Sequence, residues 1–282
     1  MLKETKIIVC YHKEFDIFEN DILLPLHVGK AMHPEILVNM QGDNTGDNIS
    51  HKNATYCELT GMYWLWKNVD ADNYGLFHYR RLLDIKGKYK GGAEPTEIDL
   101  SDFNGEAFNN EMENYDIILP EKIDLKMSVY EQYNKCHYVK DFDTVIKLIE
   151  DKYPEYNEAI EKTLKSKTGY FYNMFVMKKE LYNEYCSWLF DILDSAEKII
   201  DITDYNSCQK RVLGYLSERM FNIFIEYKLQ TSPELRVKEV KTLFINPTPL
   251  KKINFIVGKY IKNADRTYFE IFKIKFSKKN RG

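Results

Sequence analysis

Short apolar segments alternate with segments of helical periodicity along most of this chain, and this alternation limits the possible folds more than any other feature. Four segments are typical of strands because they are short and rich in β-branched or aromatic residues: residues 6–12, 74–79, 115–120 and 170–177. Apolar residues recur at helical spacing in four others: residues 59–69, 129–164, 179–193 and 207–229. Strands that alternate with helices predict an α/β fold with a mostly parallel central sheet.

The charge distribution argues against a nucleic-acid-binding protein and divides the chain in two. The 282 residues carry a net charge of −3, whereas nucleic-acid-binding domains carry clustered positive charge. The positive charge is concentrated in residues 251–282, which hold ten Lys or Arg and two acidic residues and so carry +8. We therefore predict a main domain over residues 1–230 and a basic, aromatic, helical extension over residues 231–282.

The extension mixes apolar and basic residues, as in INFIVGKYIK and YFEIFKIKF. This mixture is typical of a segment that lies at a membrane interface, where aromatic side chains enter the headgroup region and lysines meet anionic lipids. The alternatives are an element docked on the main domain and a charged, disordered end.

Cysteine usage and hydropathy predict a cytoplasmic protein. The five cysteines are odd in number and include no C-x-x-C pair, which favours reduced thiols over a disulfide framework or a zinc site. The first residues lack the apolar core of a signal peptide, and no apolar run is long enough to span a bilayer. We expect any membrane contact to be peripheral, at the inner face of the cell membrane.

The segment YGLFHYRRLL, residues 74–83, places polar side chains directly after an apolar strand. They are His78, Tyr79, Arg80 and Arg81. Ligands of open α/β sheets bind outside the carboxyl ends of strands, and arginine suits a phosphate or carboxylate because its guanidinium is a planar fork of donors. Because neighbours on a strand point to opposite faces, we expect only one arginine to meet such a group directly. The alternative is a strand that leaves the core with two solvated arginines.

The loop QGDNTGDNISHKN, residues 41–53, is a second candidate binding segment. Asp43, Asp47 and Asn48 offer oxygens to a ribose, to sugar hydroxyls or to a metal ion. The alternative is that these side chains stabilise turns. In the helix that follows, Glu58 lies off the apolar stripe and is either a contact to a sugar hydroxyl or a solvated carboxylate.

The chain resembles one bacterial family in four segments that occur in the same order: GDNISHKNATYCELTGMYWLWKN, YGLFHYRRLL, YNMFVMKKELYNEYCSWLFDIL and YNSCQKRVLGYLSERMFNIFI. This family is found in capsular polysaccharide and O-antigen biosynthesis, was long catalogued as a domain of unknown function, and is regarded as a glycosyltransferase family. The resemblance covers residues 5–230. It implies a GT-A-like fold, in which one α/β domain binds a nucleotide-sugar donor, usually a UDP-sugar. Relatives suggest galactose, as pyranose or furanose, and a lipid-linked acceptor.

The resemblance also bears on how the pyrophosphate is held. GT-A enzymes usually carry an Asp-x-Asp pair after a central strand, which binds a divalent cation, and the matching strand here is YGLFHYRR, without the acids. A metal is therefore not expected. Arg80 and Arg81 are predicted to stabilise the charge that develops on the departing nucleotide. His78, Tyr79 and Arg211 are predicted to make further contacts to it.

Glu218 is the predicted general base. An inverting transferase needs a carboxylate that takes the proton of the acceptor hydroxyl, and GT-A enzymes often place this acid on a late helix. Helical spacing puts Glu218 on one face with Arg211 and Asn222. The alternative is an intrahelical ion pair of Glu218 with Arg211 or Arg219.

Asn173 and His137 complete the predicted substrate site. Asn173 lies in an aromatic strand, where a buried amide needs a partner, either substrate or neighbouring backbone. His137 is predicted to orient the acceptor, although a lone histidine is more often structural.

Together these features predict a hexosyltransferase that acts by direct displacement with inversion. The alternatives are a retaining transferase of the same fold, which needs no such base, and a noncatalytic protein that binds a nucleotide-sugar or a glycan.

Overall fold

The computed structural model describes residues 4–245, 262–263 and 266–267. Its α-helices are α1 Asn53–Tyr56, α2 Leu59–Asn68, α3 Gly105–Asn114, α4 Val129–Cys136, α5 Val139–Lys152, α6 Asn157–Lys165, α7 Lys179–Glu197 and α8 Val212–Thr231. Its strands are β1 Thr5–Tyr11, β2 Leu23–His27, β3 Asn73–His78, β4 Arg81–Asp84, β5 Gly92–Ala93, β6 Ile117–Pro120, β7 Ile123–Asp124, β8 Thr168–Gly169, β9 Phe175–Lys178, β10 Val237–Ile245, β11 Lys262–Asn263 and β12 Arg266–Thr267.

The main sheet is mixed. β1 lies between β2 and β3, and both neighbours run parallel to it. β9 runs antiparallel between β3 and β6, and β10 continues the sheet next to β6, β4 and β5. Of the strand pairings that the structure describes here, four are parallel and four antiparallel. The predicted α/β class is confirmed. The prediction of a mostly parallel sheet is wrong, because only the pairings of β1 with β2 and β3 and of β10 with β5 and β6 are parallel, and the apolar pattern of a strand does not show its direction.

Strand β1 is buried on both faces of the sheet. Ile8 and Cys10 belong to the core formed with α2, α7 and α8, whereas Ile7 and Val9 belong to the core on the opposite face, with α3. Burial on both faces explains why this strand is continuously apolar. Gly75 allows β3 to pack closely here, because a Cβ at that position would lie 2.8 Å from a side-chain carbon of Ile7.

Strand β10 changes the predicted domain boundary. Val240, Leu243 and Ile245 are buried in the main sheet, so the sheet continues beyond residue 230. The predicted helical extension over residues 231–282 is therefore wrong where β10 forms.

Most of the predicted membrane-contact segment lies outside the described residues, apart from the short antiparallel pair β11–β12. Within the part of the chain that is described, no helix combines the length and the apolar character needed to cross a membrane.

Asp43 connects the loop after β2 to the start of α1 and α2. Its fully buried carboxylate accepts hydrogen bonds from the backbone N–H groups of Gly29 (2.8 Å) and Lys30 (3.2 Å). The hydroxyl groups of Ser50 and Thr60 also donate to it. These four donors replace the water that a buried carboxylate loses. Asp43 therefore has a structural role, in keeping with the turn-stabilising alternative.

Asp43→Ala is expected to lower the free energy of unfolding by about 3 kcal/mol, because buried donors left without a partner cost about 1–3 kcal/mol each. Asp47→Ala is the matched control, since this carboxylate lies in the same loop but is exposed; its loss should cost less than about 1 kcal/mol. Urea unfolding measures both values. Equal losses for the two variants would contradict the role assigned to Asp43.

Candidate active site

The carboxyl ends of β1, β2 and β3 bring three histidines to one edge of the sheet. His27 pairs with Tyr11, the last residue of β1, and His78 pairs with Cys10. His12 follows β1 directly. His27 is buried, and its Nδ1 has no hydrogen-bond partner among the described atoms. His12 and His27 did not stand out in the sequence, although their places at strand ends were a signal for them.

Positive charge surrounds this edge. Desolvation, followed by the charges of Lys13 and Arg211, lowers the pKa of His12, which lies at the exposed rim. Desolvation and the neighbouring Arg81 lower the pKa of His78 to about 4. His78 is therefore neutral at pH 7, and its Nε2 lies 2.6 Å from the carbonyl oxygen of Tyr172, to which it donates. The nearby cationic side chains make this edge suitable for an anion.

Tyr172 and Asn173, just before β9, adopt left-handed backbone conformations, with φ of +77° and +51°. Such conformations are rare and strained for residues other than glycine, and they cluster at functional sites. The N–H of Tyr172 donates to Glu218 Oε1 (3.0 Å). Asn173 Nδ2 donates to Glu58 Oε1 (2.8 Å) and to Ser217 Oγ (3.0 Å). Tyr172 therefore binds His78 through its carbonyl oxygen and Glu218 through its N–H, and Asn173 binds Glu58 through its side-chain amide.

Asn173 does not offer its side chain to solvent. It is 2% exposed, and its Oδ1 has no hydrogen-bond partner within the described part of the chain. Asn173 thus lies in the predicted site but positions Glu58 and Ser217, and the prediction that it contacts substrate is not supported by its placement.

Glu218 on α8 has a raised pKa. Desolvation is the largest cause, and the negative charge of Glu58 adds to it, whereas Arg219, the Tyr172 N–H and Arg81 oppose it. The ion pair with Arg219 is present, at 2.8 Å from Nη1 to Oε2. This is the structural alternative that the sequence left open. Glu218 is accordingly an oriented carboxylate that is easier to protonate than an ordinary glutamate.

The two arginines after β3 have different surroundings. The guanidinium of Arg81 lies 4.5 Å from the centre of the Tyr172 ring and is one of the charges that act on Glu218. Arg80 is exposed. Tyr79 is buried and packs edge-on against His12 at 5.2 Å. Arg81 thus lies beside Tyr172 and close enough to Glu218 for its charge to act on that carboxyl group. Tyr79 is a packing residue because its ring is enclosed by the core.

Arg211 and His137 lie near the start of α8. Arg211 is exposed and its Nε donates to Cys57 Sγ (3.2 Å), so it does not pair with Glu218. His137 is buried and stacked on Tyr215 at 4.2 Å, and desolvation lowers its pKa to about 3. The imidazole is enclosed by packing and lies 3.3 Å from the Gln209 side chain, so its placement does not support the predicted role of His137 in orienting the acceptor.

Asp47 and Asn48 are not brought to the site. Asp47 Oδ1 accepts from Tyr63 and its N–H donates to Asn68, near the end of α2. The Asn48 side chain hydrogen-bonds within its own turn. Glu58 precedes the first residue of α2, so the length of this helix, about 15 Å at 1.5 Å per residue, separates it from Asn68. The turn-stabilising alternative explains both residues.

The donor set at the end of β3 does not fit a divalent cation. Mg²⁺ and similar ions prefer carboxylate oxygens, whereas β3 ends in a histidine and is followed by two arginines. The nearby carboxylates of Glu58 and Glu218 already accept hydrogen bonds from Asn173, Tyr172 and Arg219. Among the described residues, no group of three or more His, Cys, Asp or Glu side chains is arranged to hold a metal ion.

Comparison of the chain with known proteins identifies its family. The model of the domain of unknown function DUF4422 matches residues 6–229. The chain belongs to the DUF4422 family. It is also similar to a solved structure, described as the apo structure of the WbbM bifunctional glycosyltransferase, with a TM-score of 0.81 and 38% identity. The alignment covers 86% of this chain and 45% of the WbbM chain, so this chain spans less than half of that protein. A search of curated proteins gave no match.

The raised pKa of Glu218 predicts how stability depends on pH. A carboxyl group with a raised folded pKa contributes stability below its unfolded pKa, about 4.3, and this contribution is lost as the pH rises through the folded pKa. Wild type is therefore expected to lose stability relative to Glu218→Gln as the pH rises above about 4.3. Urea unfolding of both proteins measures the difference, with the exposed Glu158→Gln as a control for charge. A gain by wild type over this range would show that the pKa is lowered.

Proposed function

We propose that this chain is a glycosyltransferase that moves a hexose from a UDP-sugar to a lipid-linked glycan in capsule or O-antigen synthesis. The observation that carries the proposal is the 38% identity over 86% of the chain to part of a bifunctional glycosyltransferase. Galactose, as pyranose or furanose, is the proposed sugar. The proposed location is the inner face of the cell membrane, with the basic tail in peripheral contact and no role for nucleic acid.

A GT-A-like fold is part of the proposal. The three parallel strands β1, β2 and β3 end at one edge, and β3 is followed across the sheet by the antiparallel β9. Ligands of open α/β sheets bind outside the carboxyl ends of such strands. Tyr172 and Asn173 lie at this edge with the two glutamates that they bind, Glu58 and Glu218. This edge is the proposed reaction centre.

The sugar donor is proposed to bind with its diphosphate next to Arg81 and Arg211. When the bond between the anomeric carbon and the phosphate oxygen breaks, negative charge grows on the departing UDP, and fixed cationic side chains stabilise it. We propose that these side chains replace a divalent ion. Arg80 is exposed at the same strand end, where it adds long-range attraction for the nucleotide.

Glu218 is the proposed general base. Its carboxylate takes the proton of the acceptor hydroxyl while the acceptor oxygen bonds to the anomeric carbon and UDP leaves from the opposite side. Hydrogen bonds from Tyr172 and Arg219 orient this carboxylate. Glu58, held by Asn173, is proposed to accept from a hydroxyl of the sugar. This reaction inverts the anomeric configuration.

One observation favours a retaining transferase as a second candidate. Both oxygens of Glu218 already accept hydrogen bonds, from Tyr172 and from Arg219, which is an arrangement also suited to a purely structural carboxylate. A retaining reaction in which the leaving phosphate takes the acceptor proton needs no glutamate base.

Arg81→Gln is expected to weaken UDP-sugar binding about tenfold or more, because a hydrogen bond to a charged group contributes about 1.5–3 kcal/mol. Arg80→Gln, which changes the exposed neighbour, should weaken binding less than about threefold. Calorimetric titration with a panel of UDP-sugars, with and without EDTA, measures both effects. Equal losses in the two variants, or binding that disappears in EDTA, would contradict the proposed metal-free phosphate site.

Glu218→Gln is expected to lower kcat by about 10²–10⁴-fold, the usual contribution of a general base, while the affinity for the UDP-sugar changes little. The measurement is turnover of UDP-sugar with acceptor, together with the anomeric configuration of the product. Glu158→Gln, at an exposed position on α6, is the control and should keep wild-type turnover. An unchanged rate for Glu218→Gln with a retained configuration would favour the retaining candidate.

A further inference from the structure

A cavity of about 340 Å³ opens beside α8, one helical turn beyond Glu218. Its volume lies at the small end of the range for ligand sites, about 300–1,000 Å³. It is walled by α6, by the segment around β8, by α8 and by one residue that follows β6. Its lining includes Lys162, Thr163, Thr168, Asn222, Glu226 and Leu229.

The cavity adjoins the candidate active site through Asn222 and Tyr170. Asn222 follows Glu218 by four residues, an axial distance of about 6 Å, and its Nδ2 donates to the Glu218 carbonyl oxygen (2.7 Å). The same side chain accepts from the N–H of Tyr170 (2.7 Å) and donates to its carbonyl oxygen (2.8 Å). Tyr170 precedes Tyr172 by two residues, so one wall of the cavity is continuous with the segment that holds Glu218.

The lining is polar but its charges are largely satisfied within the protein. Lys162 pairs with Glu226 at 2.6 Å, and the ammonium group of Lys122 lies 5.0 Å from the centre of the Tyr170 ring. Tyr170, Ser166 and Gln230 are also hydrogen-bonded, to Glu239, to the backbone of Thr168 and to Glu226. The hydroxyl groups of Thr163 and Thr168 line the cavity beside the exposed, apolar Leu229. A hydroxyl group both donates and accepts, so this pair of hydroxyls beside an apolar side chain suits a neutral ligand with many hydroxyls and one apolar face, that is, a sugar ring.

A second cavity of about 430 Å³ has a different character. Most of its lining residues are charged: Asp84, Lys86, Lys90, Glu121, Lys238, Glu239 and Lys241. This mixture of opposite charges does not match a neutral sugar, so the cavity beside α8 is the better candidate for a glycan.

We infer that the cavity beside α8 is a subsite for the acceptor glycan, where it binds a sugar unit behind the one whose hydroxyl reacts. That the cavity binds a glycan is inferred from the cavity alone. That this glycan is the acceptor rests on the proposed function. Binding energy gained at a remote unit of a substrate can be used to orient the reacting group. Longer acceptors are therefore used better than single sugars.

The test uses the full chain and an array of immobilised bacterial oligosaccharides, and the best-bound glycan is then titrated by calorimetry. Leu229→Glu places a charge in the cavity at a position that is 40% exposed, and Ile199→Glu makes the same change at a 59% exposed position that does not line the cavity. A second cavity variant, Thr168→Trp, fills the space from an exposed position. Both cavity variants are expected to raise the glycan Kd at least tenfold, with Ile199→Glu within about twofold of wild type.

UDP-sugar affinity is measured on the same four proteins to separate the two claims. Unchanged UDP-sugar binding with weakened glycan binding in both cavity variants supports the subsite. The subsite is overturned if the array gives no bound glycan, or if Ile199→Glu loses as much glycan affinity as the cavity variants. Glycan binding that depends on the cavity in a protein that binds and turns over no UDP-sugar would instead remove the proposed transferase function and leave a glycan-binding site.

Discussion

The site depends on two adjacent residues, Tyr172 and Asn173, that the surrounding structure holds in left-handed conformations. Strained backbone persists only where neighbouring contacts over-determine it, and here three separate elements supply them: β3 through His78, α8 through Glu218, and the start of α2 through Glu58. Each contact uses a different group of the pair. The spacing of the two carboxylates is thus determined by one short segment of backbone.

This arrangement explains how two half-buried glutamates can lie near each other at the edge of the sheet. Like charges disfavour joint ionisation and raise a pKa, as Glu58 does for Glu218. Each carboxylate nevertheless has its own donor, and Arg219 and Arg81 oppose the repulsion. The result is one glutamate poised to accept a proton beside an edge that carries positive charge. The proposed reaction needs both features, because it removes a proton from a hydroxyl and expels a diphosphate.

The sequence predicted the parts of the fold that depend on local patterns. Apolar runs indicated β1, β3, β6 and β9, and the spacing of apolar residues indicated α2, α7 and α8. The position of Arg81 after β3 and the polar face of Glu218 also followed from local patterns. Strand direction, the inclusion of β10 and the burial of His137 depend on tertiary packing, and so they were missed. Asp47 and Asn48 have the residue types of a sugar contact, yet local turn bonds use them.

The most direct test of this account is a double-mutant cycle on kcat/KM between Asn173 and Glu58. Asn173→Gly removes the amide and keeps the left-handed backbone accessible, because glycine adopts positive φ without strain. If Asn173 acts by positioning Glu58, Asn173→Gly should lower kcat/KM about tenfold in the wild-type background and change it little in the Glu58→Gln background. Losses that simply multiply would show that the two side chains act independently and would contradict the account.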